Sequence, residues 1–157
     1  MTPKILYRTV AIGEAVTWTL LISALIIRAT TGFALAVTVA GSVHGFVFLA
    51  YAAVAVLTAI NQRWGLGLGL LAVITAIVPY ATIPFDLWAQ RAGRLEGVWR
   101  REATDDPRDR RWFDRVVRWM LRHPILLTGL ILVAVVVLFT VLLMLGPPVP
   151  KGSGALG

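Results

Sequence analysis

The chain has no cysteine, only two histidines and only eight acidic residues among 157. Without cysteine there are no disulfides and no thiolate metal sites, and nothing marks a redox compartment. His44 and His123 stand alone: neither belongs to an i, i+4 pair or a carboxylate cluster, which argues against a metal centre. A bis-histidine haem would need both rings, and they fall at different depths of the sequence pattern described below. Ser42 lies near His44, but no acid on that segment orients the ring, so no nucleophilic triad is present. Gly65, Gly67 and Gly69 alternate with leucine without the strand or lysine of a phosphate loop, and they read as a close-packing face. No cofactor is expected.

What the chain has in abundance is apolar side chain, 58% of the residues, with a mean hydropathy of +0.79. A soluble domain of this length cannot hide that much apolar surface, so the composition specifies an all-α integral membrane protein. Four spans are expected, over residues 9–27, 33–60, 65–85 and 124–146. The first resembles a signal peptide after Lys4 and Arg8, but it is too long and Glu14 interrupts it. Pro79 and Pro84 predict a kink and an early loss of helix in the third. The last eleven residues, 147–157, read as a disordered tail.

Residues 93–123 form a basic loop, within which residues 107–122 make an amphipathic helix. Arg108, Arg111, Arg115, Arg118 and Arg122 fall on one face of the helical wheel. Trp112, Val116 and Trp119 fall on the other, the pattern of a helix lying among anionic lipid headgroups or against a partner. Rings and arginines on opposite faces do not indicate nucleic acid. With four spans, Arg28 and the ten arginines from Arg91 to Arg122 share one side, against Lys4, Arg8, Arg63 and Lys151 on the other. That bias predicts a cytoplasmic basic loop with both termini outside, in a bacterial plasma membrane.

His44 is the only ionisable residue between residues 33 and 60, roughly 16 Å from the start of that run. An imidazole at such depth needs a polar partner from another helix. Gly41 and Gly45 make a small-xxx-small pair beside it, expected to let a helix come close. Glu14 and Trp18 share a face of the first span with Thr17, and Arg8 lies a turn and a half before Glu14. A Glu14–His44 contact, direct or through one water, is within reach. Two readings stay open: a proton- or ligand-binding site, or a polar clamp fixing the helix register. Asp86 and Arg28 are expected at one side, where they either pair or each reach for water.

Arg8, the segment Glu14-Ala15-Val16-Thr17-Trp18, the pair His44-Gly45 and the segment Pro84-Phe85-Asp86 resemble a family of small bacterial membrane proteins with a His-Gly motif, the domain of unknown function family 3817. The resemblance covers residues 5–92 and implies a three-helix membrane module with no assigned activity. It places the family's characteristic positions at Arg8, Glu14, Trp18, His44, Gly45 and Phe85. Where the family has Pro-Phe-Gly, this chain has Asp86, which departs from the tight turn the resemblance implies. Family members are common in high-GC Gram-positive bacteria, and the richness in Ala, Val, Arg and Gly agrees. The basic loop and fourth span extend beyond the module. The leading functional expectation is a non-catalytic accessory or assembly subunit of a larger inner-membrane complex, with a respiratory complex as one setting. The alternatives are a small oligomeric carrier using His44 and Glu14, and a lipid-modifying enzyme.

Overall fold

The computed structural model of the chain describes residues 1–145; the expected tail lies outside them. Helix α1 (Pro3–Thr31) starts earlier than hydropathy alone suggests, because Thr2 and Pro3 form a start signal. The Thr2 hydroxyl accepts from the Ile5 N–H at 3.3 Å, and Pro3 occupies a position where no N–H is needed. The helix ends at Gly32, whose φ of +75° closes the last turn with its N–H on the Arg28 carbonyl at 2.9 Å.

Helix α2 (Ala34–Asn61) runs back antiparallel to α1. Along α1 the buried positions Tyr7, Ala11, Glu14 and Thr17 follow three- and four-residue steps, one stripe facing its neighbours. The two small residues expected to admit one helix serve two. Gly41 faces Leu21 of α1, whereas a Cβ on Gly45 would stand 3.4 Å from the Phe139 ring of α6 (Pro124–Leu145).

The third expected span is not a span. Helix α3 (Leu66–Ile74) and the 3-10 turn Thr75–Ile77 give twelve apolar residues, roughly 18 Å, little more than half a bilayer core. Val78 is extended, as a residue before proline tends to be, and Tyr80 turns left-handed at φ +65°. Helix α4 (Thr82–Arg91) then returns the way α3 came. The contacts trace the reversal. Going in, Gly69 lies against Ala59 and the Ala72 carbonyl meets Tyr51 of α2. At the tip, the Tyr80 hydroxyl reaches Thr19 near the midpoint of α1, at 3.2 Å. Coming out, Thr82 bonds the Ala11 carbonyl and Asp86 approaches Arg8. Among the described residues three helices, α1, α2 and α6, are long and apolar enough to cross a membrane, not four.

This hairpin brings the basic loop back to the end it left. Trp64 donates to the Arg94 carbonyl at 3.0 Å and Trp99 to the Met1 carbonyl at 2.9 Å. Arg100 caps α2, donating to the carbonyls of Asn61 and Ile60 at 2.6 and 2.8 Å. The N-terminal end and the loop over residues 92–123 therefore lie at one end of the bundle, correcting the expectation of opposite sides. Helix α5 (Trp112–Arg122) is shorter than expected, because residues Pro107–Arg110 form a separate 3-10 turn.

Candidate functional site

A series of polar side chains threads the otherwise apolar buried interior between α1, α2 and the hairpin. Tyr7 of α1 and Tyr51 of α2, both fully buried, join hydroxyls at 2.6 Å, and Tyr51 continues to the Thr75 hydroxyl at 3.0 Å. Glu14 is likewise fully buried, and its Oε2 accepts from Thr82 at 3.0 Å. Its Oε1 has no hydrogen-bond partner. Asp86, one turn after Thr82 on α4, is 3% exposed; Gln90 donates to its Oδ2 at 2.7 Å, and Oδ1 is unpartnered. The Arg8 guanidinium stands 3.9 Å from that same Oδ2, half exposed at the helix end.

His44 is 8% exposed, and its Nδ1 lies 3.0 Å from the Thr17 hydroxyl. Thr17 also donates to the Glu14 carbonyl at 2.9 Å, which uses its one proton. With that proton used, the Nδ1–H of His44 is the donor to Thr17. Trp18 packs across the imidazole at 4.5 Å between centroids and donates its indole N–H to the Ala76 carbonyl at 3.3 Å. That bond satisfies a backbone group at the tip of the hairpin, where the helix is broken.

Of the four predicted cluster residues, Trp18 and His44 touch; Thr17 links the His44 ring only to the main-chain carbonyl of Glu14, whose carboxyl turns to Thr82 instead. Arg8 belongs with Asp86, two turns further out. Asp86 does not meet Arg28, because the hairpin returns it to the opposite end of α1. Sequence reasoning passed over Thr82, Tyr51 and the hub role of Asp86. Their signal was the i, i+4, i+8 series Thr82, Asp86, Gln90, a polar stripe inside a nominally apolar segment.

The predicted arginine face divides. Arg118 is buried and donates to Asp109 Oδ1 at 2.9 Å and to its carbonyl at 2.6 Å. It belongs to a clasp in which Arg63 pairs with Asp106 and Asp109, and Arg100 with Asp114 at 3.1 Å. Arg118 is thus a correction to the expected headgroup set. Asp109 also accepts from the Thr104 N–H and hydroxyl, both at 2.7 Å. These bonds, together with Arg63 and Arg118, hold its carboxyl down at about 2. Arg111, Arg115 and Arg122 remain exposed, with Arg122 donating to the Arg101 carbonyl at 2.7 Å. The backbone of Arg108 lies in the 3-10 turn before α5. Trp112 and Trp119 project outward, 72% and 53% exposed.

The family model for the domain of unknown function 3817 matches residues 5–91, a stretch that holds the whole polar interior and the hairpin. The chain belongs to this family. Its module comprises α1 to α4 and contributes Arg63 to the clasp, while the clasp's other members, α5 and α6 lie beyond the match. A membrane protein of Streptomyces coelicolor A3(2) is 39% identical over 90 residues, 55% of this chain but only 10% of that protein. No solved structure matches the chain.

Proposed function

We propose that the chain is a non-catalytic accessory subunit that completes a larger assembly in the bacterial plasma membrane. One observation carries the reading: the hairpin tip is open. Ile77, Val78 and Tyr80 are 62%, 54% and 43% exposed at the level of the middle of α1. Irregular backbone at that depth is stable against protein or a water-filled cavity, not against acyl chains. A neighbouring membrane protein would supply the cover. The relative in Streptomyces supports this reading, since the matched stretch there is a small part of a much longer chain. A photo-crosslinking residue at position 78 is expected to capture a second, different membrane protein, which also co-purifies in mild detergent at stoichiometric amounts. Crosslinks to lipid or to a second copy alone, with a chain that purifies by itself, overturn the proposal.

A second reading, a proton-linked carrier, draws on the two buried carboxylates, each with one oxygen unpartnered. It requires that Glu14→Gln and His44→Gln abolish transport while the folded protein stays abundant. Loss of abundance instead assigns the cluster to holding α1, α2 and the hairpin together.

A further inference from the structure

At the basic end two cavities meet. The outer, about 650 Å³, is lined by Arg100, Arg101, Glu102 and Thr104. The inner, about 300 Å³, is an apolar cleft between Leu6 of α1, Leu57 of α2 and Thr128 and Ile131 of α6. They share Met1, Trp99 and Arg101. A polar chamber that narrows into an apolar slot between membrane helices has the shape of an amphiphile, head outside and chain inside.

We infer that this double cavity binds one anionic phospholipid from the leaflet at the basic end, with an acyl chain between α2 and α6 and the phosphate at Arg101. Charge assigns the headgroup. Arg63, Arg100 and Arg118 are committed to Asp106, Asp109 and Asp114. Arg101 is exposed and carries no ion pair among the described residues, and its carbonyl is pinned by Arg122. The one acid lining the chamber is Glu102, which disfavours a doubly charged headgroup close to it and points to a single phosphodiester. Trp99, fixed by its bond to the Met1 carbonyl, sits at the junction where an interfacial indole belongs. Basic pockets between spans at the cytoplasmic side are a recurrent way to hold anionic lipids.

The test is native mass spectrometry of the full chain released from bilayers of phosphatidylglycerol and phosphatidylcholine in equal parts. One phosphatidylglycerol per chain is expected to remain bound, with little phosphatidylcholine. Arg101→Glu is expected to lower retention at least about fivefold, the effect of one cation beside a headgroup. Thr128→Trp, which fills the inner cleft, is expected to remove the lipid whatever its headgroup. Ala36→Trp, in the apolar groove at the far end of α1 and α2, is expected to leave it in place. Equal retention of both lipids, or retention undiminished by Arg101→Glu or Thr128→Trp, overturns the inference. Because a variant can fail to fold, the wild-type chain is also crosslinked with a phosphatidylglycerol bearing a photoreactive acyl chain. Label at residues 1–6, 54–57, 99–101 or 121–131 supports the site, and label confined to other segments refutes it.

Discussion

Asp109 is the carboxylate on which the clasp depends. Arg63, Arg118 and Thr104 all bond to it, and Arg118 is buried beside it. Asp109→Ala leaves the buried Arg118 guanidinium without its carboxylate, so a loss of local stability is expected, read as lower amide protection across residues 100–121 than in the wild type. The pH dependence follows from the depressed carboxyl. Its stabilisation is complete above the unfolded value of about 4 and is lost as pH falls through about 2. Protection factors in the clasp, that is, exchange rates relative to the intrinsic rate at each pH, should therefore fall between pH 4 and 2 in the wild type, and Asp109→Asn should flatten that profile. In the interior, Thr82→Val removes the single hydroxyl that stands within hydrogen-bond distance of both the Glu14 carboxyl and the Ala11 carbonyl. A cost of about 0.5–2 kcal/mol in thermal unfolding in detergent is expected, within the range for hydrogen bonds inside membrane bundles. No measurable cost would mean that Glu14 finds another partner. At this scale the sequence pointed to His44, Glu14 and Trp18 because a polar group in an apolar run advertises itself. Thr17 and Thr82 did not, because a hydroxyl can bond its own helix and needs no partner to be tolerated there.

The α3–α4 hairpin is the element that most changes the picture. Its reversal places residues 65 and 92 at one end of the bundle, with residue 31 at the other. The chain has no native cysteine, so single cysteines at these positions give a clean readout. Gly65→Cys and Ala92→Cys are expected to react with a membrane-impermeant maleimide from the same side, and Thr31→Cys from the opposite side. Reaction of positions 65 and 92 from opposite sides would restore a full third span. The break itself was legible in Pro79 and Pro84; the direction afterwards was not. A continuous helix over residues 65–85 is long enough to cross, and hydropathy counts the same residues whether the chain goes on or turns back. Contacts of α4 with Ala11, Glu14 and Arg8 of α1 decide it. Close packing holds the inward arm: a Cβ on Gly69 would stand 3.3 Å from Ala59. Gly69→Leu is expected to push α3 off α2 and cost about 1–3 kcal/mol, measured by the same unfolding assay.

For the whole molecule, the hairpin turns an even number of crossings into an odd one. Lys4, Arg8, Arg63 and the ten arginines from Arg91 to Arg122 now share one end, against Arg28 alone among the described residues at the other. The positive-inside rule then predicts a cytoplasmic N-terminal end, on the same side as the basic loop. A reporter fused before Met1 is expected to be active in its cytoplasmic form and silent in its periplasmic form; the reverse would refute the orientation. The sequence by itself determined the all-helical membrane class, the polar residues that must face inward, the amphipathic α5 and the family module. Each rests on local hydropathy and spacing, which a chain carries wherever it goes. Only the tertiary structure decided that the third apolar segment doubles back, which end of the bundle each charge occupies and that Thr17, not the Glu14 carboxyl, meets His44. Those depend on which surfaces meet, and a proline-broken segment has two ways to satisfy its backbone until a neighbouring helix selects one.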